Sequence, residues 1–110
     1  MNILDKLYEV LDRNDIKLGY LPDEPDDISV LTEYPGSPPS HSFGGTDFTH
    51  NVQLRSRGDN SYTTISSLAA ALNGYTDGEI SVTQVSSVLD IGRDSKGRQE
   101  YTCNFKIIRY

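Results

Sequence analysis

Cysteine and basic residues are scarce in this sequence, and each shortage argues against a class of function. The single cysteine, Cys103, cannot form an intramolecular disulfide, so a reducing cytoplasm suits the chain. Lysine and arginine number 10 against 16 acids, which gives a formal net charge of −6. Because a free-standing nucleic-acid-binding protein normally carries a basic surface that neutralises phosphates, this balance argues against one.

Long apolar runs are absent as well. No uninterrupted stretch approaches the length of a signal-peptide core or a membrane span, and we therefore expect neither secretion nor membrane insertion. Hydrophobic residues make up 35% of the chain, enough for one layer of helices on one sheet but only for a thin core. A thin core favours stabilisation by neighbouring subunits. The length of 110 residues predicts a single domain over 1–110.

Hydrophobic periodicity predicts an α+β fold in the order α-β-β-α-β-β. Apolar residues recur every three or four positions in 1–14 and again in 61–72, which predicts two helices, the first capped by Asn2 and the second stopped near Gly74. β-prone or alternating patterns predict strands at 28–34, 48–55, 80–89 and 101–108. The prediction is a four-stranded, mainly antiparallel (mixed) sheet with two helices on one face.

Two segments lack any apolar period. The first, 19–27, contains two prolines and four acids and is predicted to be a linker. The second, 35–47, contains three prolines, three glycines and three serines and is predicted to be a long flexible loop. Because loops beyond roughly 12 residues without structure of their own are usually functional or mobile, this loop is a candidate partner contact through Pro38, Pro39 and Phe43.

A polar hairpin turn is predicted at 92–98, between two β-prone segments. Its bases suit an ionic contact with the acidic segment 23–27 of a neighbouring copy. The candidate interface residues in these two segments are Arg93, Lys96, Arg98, Asp26 and Asp27. A solvated turn is the alternative, since turns with several charges are ordinary in soluble proteins.

Patterns that would indicate catalysis or metal binding are weak. His41 and His50 lie nine residues apart, one in the predicted loop and one in a strand, and that spacing does not bring them together. The acids of 23–27 lack the ligand alternation and the turn glycine of a calcium loop. Cys103 falls on the apolar face of the last strand, where a buried, inert thiol is expected. We therefore predict no enzyme, no catalytic residue, no metal and no cofactor.

Short segments spread over residues 20–108 form a characteristic series. They are Leu21-Pro22 with Pro25, Tyr34-Pro35-Gly36, Pro38-Pro39, Val52-Gln53-Leu54-Arg55-Ser56-Arg57, Gly92-Arg93-Asp94, and Gly97-Arg98-Gln99-Glu100-Tyr101 with Asn104-Phe105. In this order and spacing they resemble the minor capsid or tail-terminator (head-tail joining) proteins of long-tailed bacteriophages and prophages. The predicted α-β-β-α-β-β order also resembles the tail-terminator architecture.

The resemblance implies a structural subunit of a virion without catalytic residues. It implies a homo-oligomeric ring, a hexamer, that ends the tail tube and docks to the head connector, located at the head-tail junction after assembly in the host cytoplasm. DNA is then expected to pass through the ring without specific binding, because an acidic wall repels phosphates. No membrane is involved in this assembly.

A small monomeric binding or inhibitor domain is the alternative function. It uses the 35–47 loop as its recognition segment, and deletion of that loop is expected to abolish partner binding while thermal stability is kept. A third possibility, an enzyme, requires a pocket in which titratable groups converge, and the sequence offers no such set.

Overall fold

The computed structural model describes residues 2–12, 16–34, 40–42 and 45–110, and for 40–42 and 45–48 it describes the backbone alone. These residues form two helices and seven strands. The elements are α1 Ile3–Leu11, β1 Ile16–Leu18, β2 Ile28–Tyr34, β3 Ser40–Ser42, β4 Gly45–Arg57, α2 Ser61–Leu72, β5 Ile80–Gln84, β6 Leu89–Arg93 and β7 Gln99–Arg109. The fold is α+β, as the periodicity predicted.

The sheet is mixed, as predicted. Its strand order is β1-β2-β4-β7-β5, with β3 paired to β4 and β6 paired to β7. β1 and β2 run parallel, and the other described pairs are antiparallel. β4 and β7 are the long central strands, and β5 and β6 pair with successive parts of β7.

The prediction of four strands was wrong. Two of the additional strands, β1 and β3, are three residues long, too short for an alternating pattern to be recognised. The third arises because the predicted strand 80–89 is two strands, β5 and β6. Between them the Ser86 hydroxyl accepts the Asn104 amide at 2.9 Å and interrupts the backbone ladder. The apolar alternation of 80–89 shifts phase between Val85 and Val88, and this shift corresponds to a break between two strands.

The predicted loop 35–47 also differs from the structure. Residues 40–42 form β3, which pairs antiparallel with residues 45–47. Residues 45–47 are the N-terminal part of β4, which therefore begins earlier than predicted. A serine- and glycine-containing segment forms a strand here because a partner strand supplies its hydrogen bonds. Residues 35–39 and 43–44, which include Pro38, Pro39 and Phe43, lie outside the described residues.

Both helices begin at predicted positions. The Asn2 side chain accepts the Asp5 amide at 2.9 Å and caps α1, which ends at Leu11 and not at residue 14, because Asp12 adopts a left-handed conformation with φ of 49°. α2 covers the predicted 61–72. Neither described helix is long and apolar enough to cross a membrane.

The hydrophobic core lies between the helices and one face of the sheet. It contains Ile3, Leu7, Ile16, Leu31, Val52, Leu54, Ile65, Leu68, Ala69, Leu72, Ile80, Val82, Cys103, Phe105 and Ile107. Cys103 and Phe105 are fully buried on the last strand, as its alternation predicted. Because neighbouring residues of a strand point to opposite faces, the alternate positions of β2, β4 and β7 form a second face turned away from the helices. We call it the open face.

Candidate interface surfaces

The acidic segment and the basic turn meet within one chain. Arg98, whose side chain is 12% exposed, pairs with Asp23 and Asp26, each at 3.1 Å. Lys96 Nζ lies 2.5 Å from Asp23 Oδ2. The ionic contact expected between neighbouring copies therefore forms inside the subunit. A role of these residues at a partner interface stays a prediction.

Arg57 holds the same segment from the end of β4. Its side chain extends from the open face, and the residue is 3% exposed. The guanidinium donates to the backbone carbonyls of Asp23 at 3.1 Å, Pro25 at 2.6 Å and Asp26 at 3.1 Å. Hydrogen bonds from a charged donor are roughly twice as strong as neutral ones. Arg57 thus fixes residues 23–26 over one end of the open face.

Gly58 makes this close packing possible. It has a φ of 115°, and a Cβ added there would lie 1.9 Å from Asp27 Oδ1 and 2.8 Å from Asp27 Cα. Its amide donates to the Gln99 carbonyl at 2.9 Å. A side chain is excluded by both the backbone conformation and the contact.

Asp94 organises the turn between β6 and β7. Its carboxylate accepts the Arg98 Nε at 2.8 Å and the backbone amides of Lys96 at 3.0 Å and Arg98 at 2.9 Å. The Arg98 guanidinium, and then its amide, lower the pKa of Asp94 to about 2. The predicted hairpin is present, with its tight turn confined to residues 94–98. Arg93 and Lys96 are exposed on it.

An acidic surface covers the outer side of α1. Asp5, Glu9 and Asp12 are exposed and recur at helical spacing. Lys6 links the helix to the turn before β5, with Nζ 3.1 Å from Asp77 and 3.4 Å from Glu79. The acidic helix surface comprises Asp5, Glu9, Asp12, Asp77 and Glu79. Among the described residues, Lys6 is the one base within it.

Within that surface, the Asp77 carboxylate holds the turn before β5 by accepting hydrogen bonds. Its carboxylate accepts the amides of Glu79 at 2.7 Å and Ile80 at 3.0 Å and the Tyr75 hydroxyl at 2.8 Å. These donors, with the Lys6 ammonium, hold the pKa of Asp77 well below its usual range. Asp77 is therefore charged wherever the protein is folded near neutral pH.

A depression of about 150 Å³ lies in the middle of the open face. It is lined by Thr32, Tyr34, Gln53 and Asn104, and the register places Thr32, Gln53 and Asn104 side by side on β2, β4 and β7. Asn104 Oδ1 is buried, and no group of the described residues donates a hydrogen bond to it. Such an atom is unusual, because most buried polar side-chain atoms are paired.

Apolar side chains stand beside this depression at the edge of the sheet. Val85 is 54% exposed, and its amide donates to the Asn104 carbonyl at 2.9 Å. Leu89 is 46% exposed and lies opposite Thr102, on the open face. The sequence pattern placed both residues within one predicted strand, 80–89. Their exposure depends on β6 being an edge strand, which the alternation does not reveal.

The described residues provide no convergent set of reactive groups. Burial raises the pKa of the Cys103 thiol, which lowers its reactivity. His50 Nδ1 lies 2.6 Å from Glu33 Oε1, and the side chain of His41 is not described. In the part of the chain that the structure describes, no group of three or more histidine, cysteine or acidic residues could hold a metal ion.

Comparison with known proteins identifies the family. No curated protein matches the chain. The sequence model of a family described as bacteriophage tail terminator protein matches residues 3–110, a range that includes both helices and the seven described strands. This chain therefore belongs to the bacteriophage tail terminator protein family.

Proposed function

We propose that the chain is a structural subunit of the virion that assembles with copies of itself into a hexameric ring, ends the tail tube and docks to the head connector. The observation that carries this proposal is the family match over residues 3–110. The ring is located at the head-tail junction and assembles in the host cytoplasm. It performs no catalysis and takes no cofactor.

The charge of the chain supports passage of DNA through such a ring. A net charge of −6 per subunit repels phosphates, so DNA slides through without adhering. The thin core supports assembly, because a small domain gains stability from buried contacts with neighbours.

We assign the contacts with the tail tube and the head connector to the acidic segment before β2, to the segment after β2 and to the β6–β7 turn. The assigned residues are Pro38, Pro39, Phe43, Arg93, Lys96, Arg98, Asp26 and Asp27. Arg98 and Asp26 are paired inside the subunit, so they hold the turn in place. Arg93 is exposed and available to an acidic partner, and Lys96 is exposed but pairs with Asp23 within the subunit.

Light scattering after size-exclusion chromatography, with electron microscopy, tests the proposal. We expect a ring with six times the 12.2 kDa mass of the chain, and capture of the ring at the end of purified tail tubes. The doubly substituted Arg93→Glu/Lys96→Glu protein is expected to form rings but to lose capture. A chain that stays monomeric at high concentration and binds neither tube nor connector overturns the proposal. If such a monomer loses a partner on deletion of residues 37–46, the alternative of a binding domain is supported.

A further inference from the structure

Asn104 marks a part of the open face that is incomplete in the isolated subunit. Buried polar atoms are usually hydrogen-bonded, so an oxygen without a donor calls for an explanation, and contact with another protein is one. Asn104 lines the depression together with Thr32 and Gln53, away from the end that residues 23–26 cover. The depression beside Asn104 is open to side chains of another molecule.

The surroundings of Asn104 indicate that the other molecule is a protein. Val85 and Leu89 are large apolar side chains, about half exposed, on the sheet edge next to it. An apolar margin beside a few precise hydrogen-bonding groups is typical of the core of a protein interface. The bulge between Asp90 and Gly92 disturbs β6, so simple addition of a strand to this edge is disfavoured. The contact is therefore made by side chains of the open face.

The charges point to a second copy of this chain. Among the residues whose side chains the structure describes, the open face carries four bases, Lys17, Arg55, Arg57 and Lys106, and one acid, Glu100, although the whole chain is strongly acidic. Arg57 is occupied by the carbonyls of residues 23–26. Arg55 already pairs with Glu100 at 2.9 Å, which leaves the face positive through the two lysines.

The acidic helix surface has the opposite charge, with five acids and one base, and lies on the other side of the molecule because α1 packs on the opposite face of the sheet. Complementary surfaces on different sides of one subunit give head-to-tail contacts, and such contacts form a ring when the rotation between successive copies closes.

We propose that the open face is the subunit seam and binds the acidic helix surface of a second copy. The neighbour donates a hydrogen bond to Asn104 Oδ1 and covers Val85 and Leu89, while Lys17 and Lys106 face its acids. This seam rests on the proposed function, in which copies of the chain form a ring.

Two charge-reversed proteins test the seam. The open-face variant, Val85→Glu/Lys106→Glu, and the helix-surface variant, Glu9→Lys/Glu79→Lys, change exposed positions, so both should fold. Each alone is expected to associate at least about 100-fold more weakly than the unmodified chain, because like charges meet across the seam.

Mixing the two variants in equal amounts is expected to restore assembly, since each altered surface then meets its opposite charge. The doubly substituted Glu24→Lys/Asp59→Lys protein, which changes charge by the same amount as the helix-surface variant, serves as the control and should assemble normally.

The Asn104→Leu substitution tests whether Asn104 acts at the seam or only in the fold of the subunit. Removing the unpaired oxygen should leave the melting temperature of the dissociated subunit unchanged or higher, while self-association weakens about 10-fold, the equivalent of 1.4 kcal/mol. A lower melting temperature with unchanged association would assign Asn104 to the fold alone.

The outcomes distinguish the seam from the ring itself. An unmodified chain that is monomeric at every concentration overturns both the ring and the seam. If the unmodified chain forms rings and both charge-reversed variants do so equally well, or if the mixture fails to assemble, the ring stands and this seam is overturned. Variants that keep the ring but lose the tail tube would show that the tube, and not a second copy, occupies the open face.

Discussion

The two ends of one sheet face differ in how their polar groups are satisfied. At the covered end, Arg57 and Arg98 supply hydrogen bonds to the carbonyls and carboxylates of residues 23–26. In the open centre, Asn104 has a buried oxygen with no donor among the described residues. Charge density alone therefore does not identify an interface here, because the charged groups of the most highly charged region are largely paired within the subunit.

This comparison changes the meaning of the candidate residues. Arg98 and Asp26 were attractive as partner contacts because of their charge, yet they join segments far apart in one chain. The centre of the open face has fewer charges, but it combines an unpaired acceptor with exposed Val85 and Leu89. A surface that lacks partners in the subunit is the better candidate for contact with another protein.

Replacing Arg57 should cause the largest loss of stability, because it removes the hydrogen bonds that hold residues 23–26 over the covered end. Arg57→Met keeps much of the apolar stem but loses three hydrogen bonds from a buried cation. We expect the free energy of unfolding to fall by about 4 kcal/mol. Amide hydrogen exchange should become faster in residues 23–27. Urea denaturation and exchange mass spectrometry measure the two effects.

Arg93→Met is the matched control for this experiment. Arg93 is exposed and donates to one carbonyl within its own turn, that of Gly97. Its replacement should change the free energy of unfolding by less than about 0.5 kcal/mol. Equal losses of unfolding free energy for Arg57→Met and Arg93→Met would contradict the conclusion that Arg57 fixes residues 23–26 over the open face.

Replacing Gly58 should have the next largest effect. Gly58→Ala forces a left-handed residue with a Cβ into the space of Asp27, and we expect a loss of about 3 kcal/mol in urea denaturation. Gly74→Ala is the control, since Gly74 also has positive φ but open space around it. It should lose about 1 kcal/mol. A loss for Gly58→Ala no greater than that of the control would mean that contact with Asp27 is unimportant.

Long regular elements were predictable from the sequence. The three- and four-residue spacing of α2 and the alternation that buries Cys103 and Phe105 are local patterns imposed by contact with one core. Short strands were missed because their pairing depends on distant partners. β1 is a strand because it pairs in parallel with β2. A segment of three residues is too short to show a periodic pattern that would predict this pairing.

The candidate surfaces were predictable only in part. The sequence showed acids at 23–27 and bases at 93–98 but not that they are adjacent, because their proximity follows from the β4–β7 pairing. It placed Asn104 in the last predicted strand, 101–108, next to Cys103, which lies on the apolar face. The burial of its oxygen depends on Thr32 and Gln53 on two other strands, which only the register brings together.

Acidification should give the smallest effect, and it probes the covered end through Asp94. The pKa of Asp94 is lowered to about 2 in the folded chain by Arg98 and by amides of the turn, so folding favours the ionised form. Its contribution to stability is complete above the ordinary carboxyl value of 3.8 and is lost as the pH falls from there through about 2. Asp94→Asn lacks this contribution.

The difference in unfolding free energy between the unmodified chain and Asp94→Asn should therefore be constant above pH 5 and shrink towards pH 2. Urea denaturation at successive pH values, at concentrations where the subunit is dissociated, measures it. The pKa of Asp23 is also lowered, by Lys96 and Arg98, but Asp23 is present in both proteins and its contribution largely cancels from the difference. A difference that stays constant from pH 6 to pH 2 would mean that Asp94 does not depend on its charge to hold the turn. Neutral hydrogen bonds, and not charge, would then hold the turn at the covered end.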